Sequence, residues 1–349
     1  MNKSTLAVLL ASTLLALPVA AQTGKPQVTI LATGGTIAGS SASKTDTTGY
    51  KAGAVGIDTL IAAVPEMAQV AEVKGEQISN TISGDVNDQV LLTLSKRVNQ
   101  LLNQQGQQGQ QGVVITHGTD TLEETAFFLD LTVNSKQPVV MVGSMRPATA
   151  ISADGPMNLL EAVTLATAKQ AENRGTLVVL NDRIGSAFYT SKTNSTTLDT
   201  FKATEPGYLG LFVSGQPKFY YTAAQPIDKR YFDVSKLTSL PKVEILYSYQ
   251  AQDTAILDAA LKSGAKGIVI AGNGNGNVST NMEAAIGKLH QQGIPVVMST
   301  RTGAGYVSTK SFAIGAGFLN PQKSRVLLQL ALASGADLPQ IASYFDHQR

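Results

Sequence analysis

The sequence predicts an α/β protein of two domains, with the larger domain first. Short apolar runs rich in β-branched residues alternate with stretches of helical periodicity, which is typical of parallel sheets covered by helices on both faces. An irregular stretch containing prolines interrupts this alternation, and the alternation then resumes towards the C-terminus. The predicted organisation is a first domain at 22–212, a linker at 213–242 and a second domain at 243–349.

In the first domain, four runs are predicted to be buried strands because nearly all of their residues are apolar. Residues 87–102 repeat apolar side chains at helical spacing, and Asn87 or Asp88 precedes them as a candidate N-cap. Pro156 is typical of the first turn of a further helix. The glutamine- and glycine-rich tract 104–112 is predicted to be a solvated loop. The predicted strands are 27–32, 112–116, 138–144 and 176–181.

The second domain repeats the pattern with three apolar runs and three stretches of helical spacing. We expect a smaller parallel sheet with helices packed on it. The predicted strands are 243–249, 266–272 and 295–300, and the predicted helices are 253–263, 280–291 and 322–335.

Composition excludes several classes of function. The 349 residues carry a net charge of only +2, so nothing indicates a nucleic-acid partner. The chain has no cysteine, which removes thiolate catalysis and cysteine-based metal sites. Its histidines are the scattered residues His117, His290 and His347, so we predict no catalytic metal.

The first 21 residues have the layout of a secretory signal. Lys3 precedes an apolar run from Leu6 to Leu17, and small residues stand before a predicted cleavage site at Gln22. The alternative is an anchoring helix, but the apolar run is short for a membrane span. We therefore expect an exported protein, periplasmic or secreted, with no membrane attachment.

The stretch "TILATGGTIAG" at 29–39 is the first candidate for chemistry. A strand ends here in a glycine-rich turn, which in other folds binds phosphate. However, the pattern is neither a Walker A motif nor G-x-G-x-x-G, and a plain tight turn is the other alternative. The following residues, 40–50, are rich in Ser, Thr and Gly and suggest a mobile lid.

The stretch "VVITHGTDTLEETAFF" at 113–128 is the second candidate. Thr119 and Asp120 follow a predicted strand, at the edge of a parallel sheet where ligands bind. The alternative is that one of them only caps the helix that follows. His117 is a general base by composition, although a structural histidine explains it equally well.

Together these stretches resemble the two signature motifs of the bacterial type II, exported L-asparaginases, a branch that includes the glutaminase-asparaginases. The resemblance covers nearly all of the chain after the signal. It implies a flavodoxin-like sheet in the first domain, no cofactor, and a homotetramer built as a dimer of dimers with active sites shared between subunits. Further matching segments are 74–77, 143–147, 152–159, 271–277 and 319–332.

The resemblance also implies the catalytic residues. Thr36 would be the nucleophile that forms an acyl-enzyme, and Tyr50 from the lid would accept or relay its proton. Thr119 would be paired with Asp120 and with a lysine on the helix after 152–159, which counting places at Lys169. Without the resemblance, Lys169 is simply a solvated helix residue.

The implied substrate-binding residues surround the two threonines. Ser83 would hold the α-carboxylate of an amino acid, Asp120 its α-ammonium, and the carbonyl of Ser144 the leaving amide. Asn277 would serve a neighbouring subunit's site, although its Gly/Asn-rich run could equally be a plain turn. The full predicted set is Gly35, Ser83, Gly84, Gly118, Thr119, Asp120, Ser144 and Asn277.

Two departures from the family pattern stand out. Gly84 occupies a position where family members usually carry Gln or Glu, which predicts a roomier end of the pocket. The stretch 301–318 is shorter than the family's loop and contains no acidic residue that could reach a neighbouring subunit.

The resemblance predicts hydrolysis of L-asparagine to L-aspartate and ammonia. One alternative is a glutaminase-asparaginase with comparable activity on L-glutamine. Another, from a different class, is an exported amino-acid-binding protein without catalysis.

Overall fold

The computed structural model describes residues 24–103 and 110–346. The predicted signal at 1–21 and most of the tract 104–112 therefore lie outside the described residues. Within those ranges, no helix is long and apolar enough to cross a membrane.

The first domain contains strands β1 to β10 and helices α1 to α5. The strands are β1 Gln27–Gly34, β2 Glu72–Thr81, β3 Gln110–Thr116, β4 Val139–Val142, β5 Thr176–Leu180, β6 Arg183–Ser186, β7 Ser191–Lys192, β8 Phe201–Lys202, β9 Gly210–Val213 and β10 Gln216–Phe219. The helices are α1 Ile57–Ala62, α2 Met67–Val70, α3 Asp88–Leu102, α4 Leu122–Thr132 and α5 Gly155–Thr167. Short 3₁₀ turns are Thr36–Ala38, Ser83–Asp85 and Lys169–Ala171.

The large sheet has the order β10-β9-β6-β5-β4-β3-β1-β2 among the described strands. The part β2-β1-β3-β4-β5 is parallel and follows the flavodoxin-like order. The chain leaves β1 towards β2 on one side, whereas β3 lies on the other side. A crevice therefore opens beyond the carboxyl ends of β1 and β3, which is where open α/β sheets bind ligands.

The four strands predicted in the first domain are confirmed. β1, β4 and β5 are buried almost throughout because helices cover both faces of the sheet. The antiparallel extension formed by β6, β9 and β10 was not predicted from the sequence. Asn87 is the N-cap of α3, since its side chain accepts a hydrogen bond from the backbone N–H of Val90.

The prediction of a linker over 213–242 is wrong at its start. Val213 ends β9, and residues 216–219 form β10 at the edge of the large sheet. The rest of the stretch is irregular but packed on the first domain. Lys96 on α3, for example, donates to the Leu237 carbonyl at 2.7 Å, and the N–H of Phe232 donates to the Leu131 carbonyl of α4 at 2.8 Å.

The second domain has a parallel sheet in the order β11-β12-β13-β14, so the prediction of two α/β domains is confirmed. Helices occupy the three predicted stretches, and a further helix follows the last of them. The elements are β11 Val243–Tyr247, α6 Ala255–Lys262, β12 Gly267–Gly272, α7 Thr280–Gln291, β13 Val296–Thr300, β14 Ile314–Gly315, α8 Pro321–Ala333 and α9 Leu338–Phe345.

The two domains share one apolar core. The cluster runs from the large sheet through Phe127 and Phe128 on α4 to Leu327 on α8 and Phe345 on α9. Burial of so many large side chains across the domain boundary makes α8 a fixed neighbour of α4. This contact matters for the site, because α4 follows the Thr119 loop directly.

Candidate active site

A glycine-rich turn after β1 places Thr36. Gly34 and Gly35 have φ angles of 101° and 79°, which residues other than glycine rarely adopt. The chain then makes one 3₁₀ turn that begins at Thr36. The Thr36 residue is only 5% exposed, so its hydroxyl lies in a largely enclosed position at the carboxyl end of β1.

A second turn, after β3, places Thr119 and Asp120. The helix that follows has Thr121 as its N-cap residue, and no side chain caps it. The Thr121 hydroxyl instead donates to the Ser83 carbonyl at 2.7 Å. The alternative that Thr119 or Asp120 serves as a helix cap is therefore wrong, and both side chains are available for other contacts.

The two turns touch through their glycines. A Cβ built on Gly35 would lie 2.3 Å from the Cα of Gly118, and one built on Gly118 would lie 2.9 Å from the Cβ of Ser83. Distances this short show that the turns after β1 and β3 pack main chain against main chain, with the Ser83 side chain against Gly118. They bring the residues that follow, Thr36 and Thr119, to neighbouring positions at the crevice beyond β1 and β3.

The lid, residues 40–50, lies folded over the turn that holds Thr36. Its ends are joined by two hydrogen bonds between the backbones of Ser40 and Lys51, at 3.0 and 2.9 Å. The Tyr50 hydroxyl lies 2.5 Å from Thr36 Oγ1, a short hydrogen bond in which either oxygen can be the donor. The ring of Tyr50 packs on Gly39, where a Cβ would approach to 2.9 Å.

Lys192, which the sequence reasoning missed, contacts the second threonine. Its Nζ donates to Thr119 Oγ1 at 3.0 Å and to Asp120 Oδ1 at 2.6 Å. The Lys192 side chain is only 13% exposed, whereas that of Asp120 is 80% exposed in the isolated chain. The result is a charge-assisted triad in which an ammonium group joins a hydroxyl to a carboxylate.

The prediction that Lys169 lies beside Thr119 is wrong. Lys169 is exposed and follows the end of α5. A Cβ on Gly112 would lie 2.3 Å from the Ala166 carbonyl oxygen, so this end of α5 packs at the start of β3. The Thr119 loop follows the other end of β3, about 15 Å away along the strand. Lys169 therefore lies near the amino ends of the strands, away from Thr119. It is the solvated helix residue of the alternative interpretation.

His117 is a structural residue. It is completely buried, with Nδ1 2.8 Å from the Gly118 carbonyl and Nε2 2.9 Å from the Thr125 hydroxyl. The carbonyl can only accept, so Nδ1 carries the proton and Nε2 accepts from Thr125. Burial lowers the pKa of His117 from 6.5 to about 4, against a smaller opposing effect of the Gly118 carbonyl. Such a neutral, fully bonded imidazole is unsuited to take a proton from a substrate.

Ser144 and Gly84 lie beside these turns. Ser144 is fully buried after β4, and its hydroxyl donates to the Arg146 carbonyl at 2.7 Å. The preceding Gly143 packs on Thr119, where a Cβ would lie 3.2 Å from the Thr119 methyl group. Gly84 borders a cavity of about 650 Å³ together with Ser83, and a Cβ at Gly84 would meet nothing within 4 Å. The space beside Gly84 thus has room for a side chain that glycine does not supply.

Asn277 belongs to the second domain. It lies exposed in the turn after β12, where its backbone pairs with that of Asn273 at 2.7 Å in both directions. Lys310, in the short stretch 301–318, donates to Asn277 Oδ1 at 3.4 Å. A role of Asn277 in the active site of a neighbouring subunit stays a prediction.

Family profiles match both domains. The profile described as "Asparaginase, N-terminal" matches residues 27–225, and the one described as "Glutaminase/Asparaginase C-terminal domain" matches residues 242–345. The chain belongs to the asparaginase family.

Known members of the asparaginase family resemble this chain over most of its length. "L-asparaginase 2" of Bacillus subtilis is 51% identical, over 92% of this chain and 86% of that protein. "Probable L-asparaginase periplasmic" of Haemophilus influenzae is 46% identical, over 92% and 93%. The crystal structure of a "Probable Cytoplasmic L-asparaginase" from Campylobacter jejuni superposes with a TM-score of 0.88, at 47% identity over 92% and 99% of the two chains. The prediction of the asparaginase family is confirmed. Membership of its exported type II branch stays a prediction, because the relatives include one named periplasmic and one named cytoplasmic.

The contact between the two glycines predicts that Gly35→Ala separates the turns. The substitution would place a methyl group inside the Gly118 main chain at a φ of 79°, so we expect a loss of about 2–4 kcal/mol of unfolding free energy. Gly84→Ala is the matched control, because nothing lies within 4 Å of its Cβ. Urea unfolding of both variants measures the difference. Equal stability of the two would contradict the close contact.

Proposed function

We propose that this chain is an amidohydrolase that converts L-asparagine to L-aspartate and ammonia. One observation carries the proposal. Two threonines lie on turns that contact each other, and the hydroxyl of each threonine is hydrogen-bonded to a different partner. Thr36 lies against Tyr50, and Thr119 lies against Lys192. A nucleophile and a second activated hydroxyl beside one crevice are the parts that a two-step acyl transfer needs.

In the first step, Thr36 Oγ1 attacks the side-chain amide carbon of the substrate. The new bond is an ester, the carbon–nitrogen bond breaks, and the hydroxyl proton reaches the leaving nitrogen, which departs as ammonia. Tyr50 supports the proposal because its hydroxyl, at 2.5 Å, is placed to relay that proton. The lid folded over Thr36 would exclude bulk water during this step.

In the second step, water opens the ester and releases L-aspartate. Thr119 is placed to orient that water, because its own hydroxyl is held by Lys192 Nζ. The backbone N–H groups of Thr36 and Thr119 would stabilise the oxyanion in both steps.

Substrate recognition follows from the charges at the crevice. Asp120 uses Oδ1 to bind Lys192, and its exposed carboxylate can also bind the α-ammonium of an amino acid. Ser83, packed on Gly118, would hold the α-carboxylate, and the Ser144 carbonyl would accept from the leaving amide. Gly84 leaves this pocket without one polar side chain, a difference worth on the order of 1 kcal/mol of affinity.

Export and tetramer formation are part of the proposal. Export is supported by the signal-like residues 1–21 and by the relative named periplasmic. A shared site is supported by the exposure of Asp120 and Asn277 in the isolated chain. N-terminal sequencing of the secreted protein should begin at Gln22, and light scattering should give four times the mass of one chain. An intact N-terminus would contradict export, and a stable, active monomer would contradict the tetramer.

The function is tested by ammonia release from L-asparagine, L-glutamine and their D-forms. We expect release from L-asparagine, and Thr36→Val should reduce it about a thousandfold or more with an unchanged circular dichroism spectrum. Equal kcat/KM for L-asparagine and L-glutamine would favour a glutaminase-asparaginase. If wild type and variant both bind L-aspartate but neither releases ammonia, the chain is a binding protein and the proposal is wrong.

The lysine is tested by comparing Lys192→Met with Lys169→Met. Removing the ammonium that contacts Thr119 and Asp120 should lower kcat about a hundredfold or more, whereas removing the exposed Lys169 should leave it within twofold. Steady-state kinetics at saturating L-asparagine give both values. Wild-type turnover in Lys192→Met would remove that residue from the mechanism.

A further inference from the structure

We propose that Lys323 and Asn320, at the start of α8 in the second domain, are positioning residues that hold Lys192 against Thr119. The inference rests on the proposed role of Lys192 and adds a requirement for the second domain. According to this proposal, two side chains of the second domain determine the position of the Lys192 side chain in the first domain.

The segment that carries Lys192 has little regular structure of its own. β7 is two residues long and pairs only with the equally short β8 within the described structure. The residues before it form a tight turn, in which the N–H of Thr190 donates to the Ser186 carbonyl at 2.8 Å. On the other side of Lys192, Thr193 donates its N–H and its hydroxyl to the Thr200 carbonyl, each at 2.8 Å. The short hairpin thus holds Lys192 on one side, and the position of the turn before it decides whether its side chain meets Thr119 Oγ1 within hydrogen-bond distance.

Lys323 fixes this turn from the other domain. Its Nζ donates to the carbonyls of Phe188 at 2.9 Å and Thr190 at 2.7 Å, and the residue is only 2% exposed. Both carbonyls thus converge on one buried ammonium group. Thr190 is two residues before Lys192, so a shift of this turn is transmitted directly to the lysine.

Asn320 ties the same segment to α4. Its side-chain amide donates to Glu123 Oε2 at 2.8 Å and to Ser191 Oγ at 3.1 Å, while its oxygen accepts from the backbone N–H of Lys323 as the N-cap of α8. Glu123 lies three residues after Asp120, and Ser191 is the neighbour of Lys192. One side chain therefore joins the two segments whose separation decides whether Lys192 reaches Thr119.

The chemistry of Lys323 favours a geometric role over a stabilising one. Burial lowers its pKa from 10.5 to about 8, opposed by the nearby carboxylates of Glu123 and Asp130 on α4, and its Nζ lies 5.9 Å from the centre of the Phe127 ring. A buried ammonium group is expensive to desolvate, and an apolar side chain of similar length would fill the same space without that cost. What only the lysine supplies is the pair of hydrogen bonds to the turn.

The test compares Lys323→Met with Gln329→Met. Gln329 is the matched control because it is on the same helix and is 3% exposed, and its side chain donates to the Pro241 carbonyl at 3.1 Å and not to the turn before Lys192. We expect Lys323→Met to lower kcat for L-asparagine about tenfold or more with KM within twofold. Gln329→Met should leave kcat unchanged, even if it lowers the melting temperature as much as Lys323→Met does. Equal kcat in the two variants would overturn the proposal.

Asn320→Ser provides a second test should Lys323→Met fail to fold. Serine keeps the helix cap but is too short to reach Glu123 and Ser191, so kcat should again fall with little change in KM. Wild-type kcat in this variant counts against the proposal. If Lys192→Met itself retains turnover, the proposed function of Lys192 fails. If Lys192→Met is inactive while Lys323→Met and Asn320→Ser are fully active, only the positioning inference fails.

Discussion

The main chains of Gly35 and Gly118 lie in contact where β1 and β3 end, and the proposed chemistry depends on that contact. Neighbouring parallel strands lie about 5 Å apart. Here a Cβ on Gly35 would come within 2.3 Å of Gly118 Cα. The absence of both side chains lets the turns pack directly, and each threonine that follows is placed by the backbone itself.

Burial explains which parts of the fold the sequence predicts. β1, β4 and β5 are covered on both faces, so their apolar runs are continuous and were recognised. β2 is an edge strand in which charged residues alternate with partly buried ones, and its Glu76 pairs with Arg97 of α3. β10 is also at an edge and contains Pro217, which removes a strand signal. Edge strands are defined by their neighbours, which local sequence does not describe.

The same distinction applies to the site. Thr36 and Thr119 each follow a recognisable strand within a few residues, so their location at the carboxyl edge of the sheet could be predicted. Lys192 follows no such landmark, since β7 exists only by pairing with β8. The prediction of Lys169 rests on its position along a helix, but the thirteen residues of α5 carry the chain back to the amino ends of the strands. Counting residues along a sequence can place a residue on a helix. It does not establish whether that residue lies at the carboxyl or the amino ends of the strands.

The two kinds of catalytic group also need different support. A threonine is β-branched, so once the backbone is fixed its hydroxyl has few positions to choose from. A lysine has four rotatable bonds, and ordering it costs about 1.5–2 kcal/mol of side-chain entropy. Lys192 recovers that cost through Thr119 and Asp120 only if its own backbone is held in place. The strand that carries it is short, and besides its pairing with β8 it is held by contacts from Asn320 and Lys323 at the start of α8. The main chain of the first domain is thus enough to place the hydroxyls of Thr36 and Thr119. The proposed position of the Lys192 ammonium group, in contrast, depends on both domains remaining packed together.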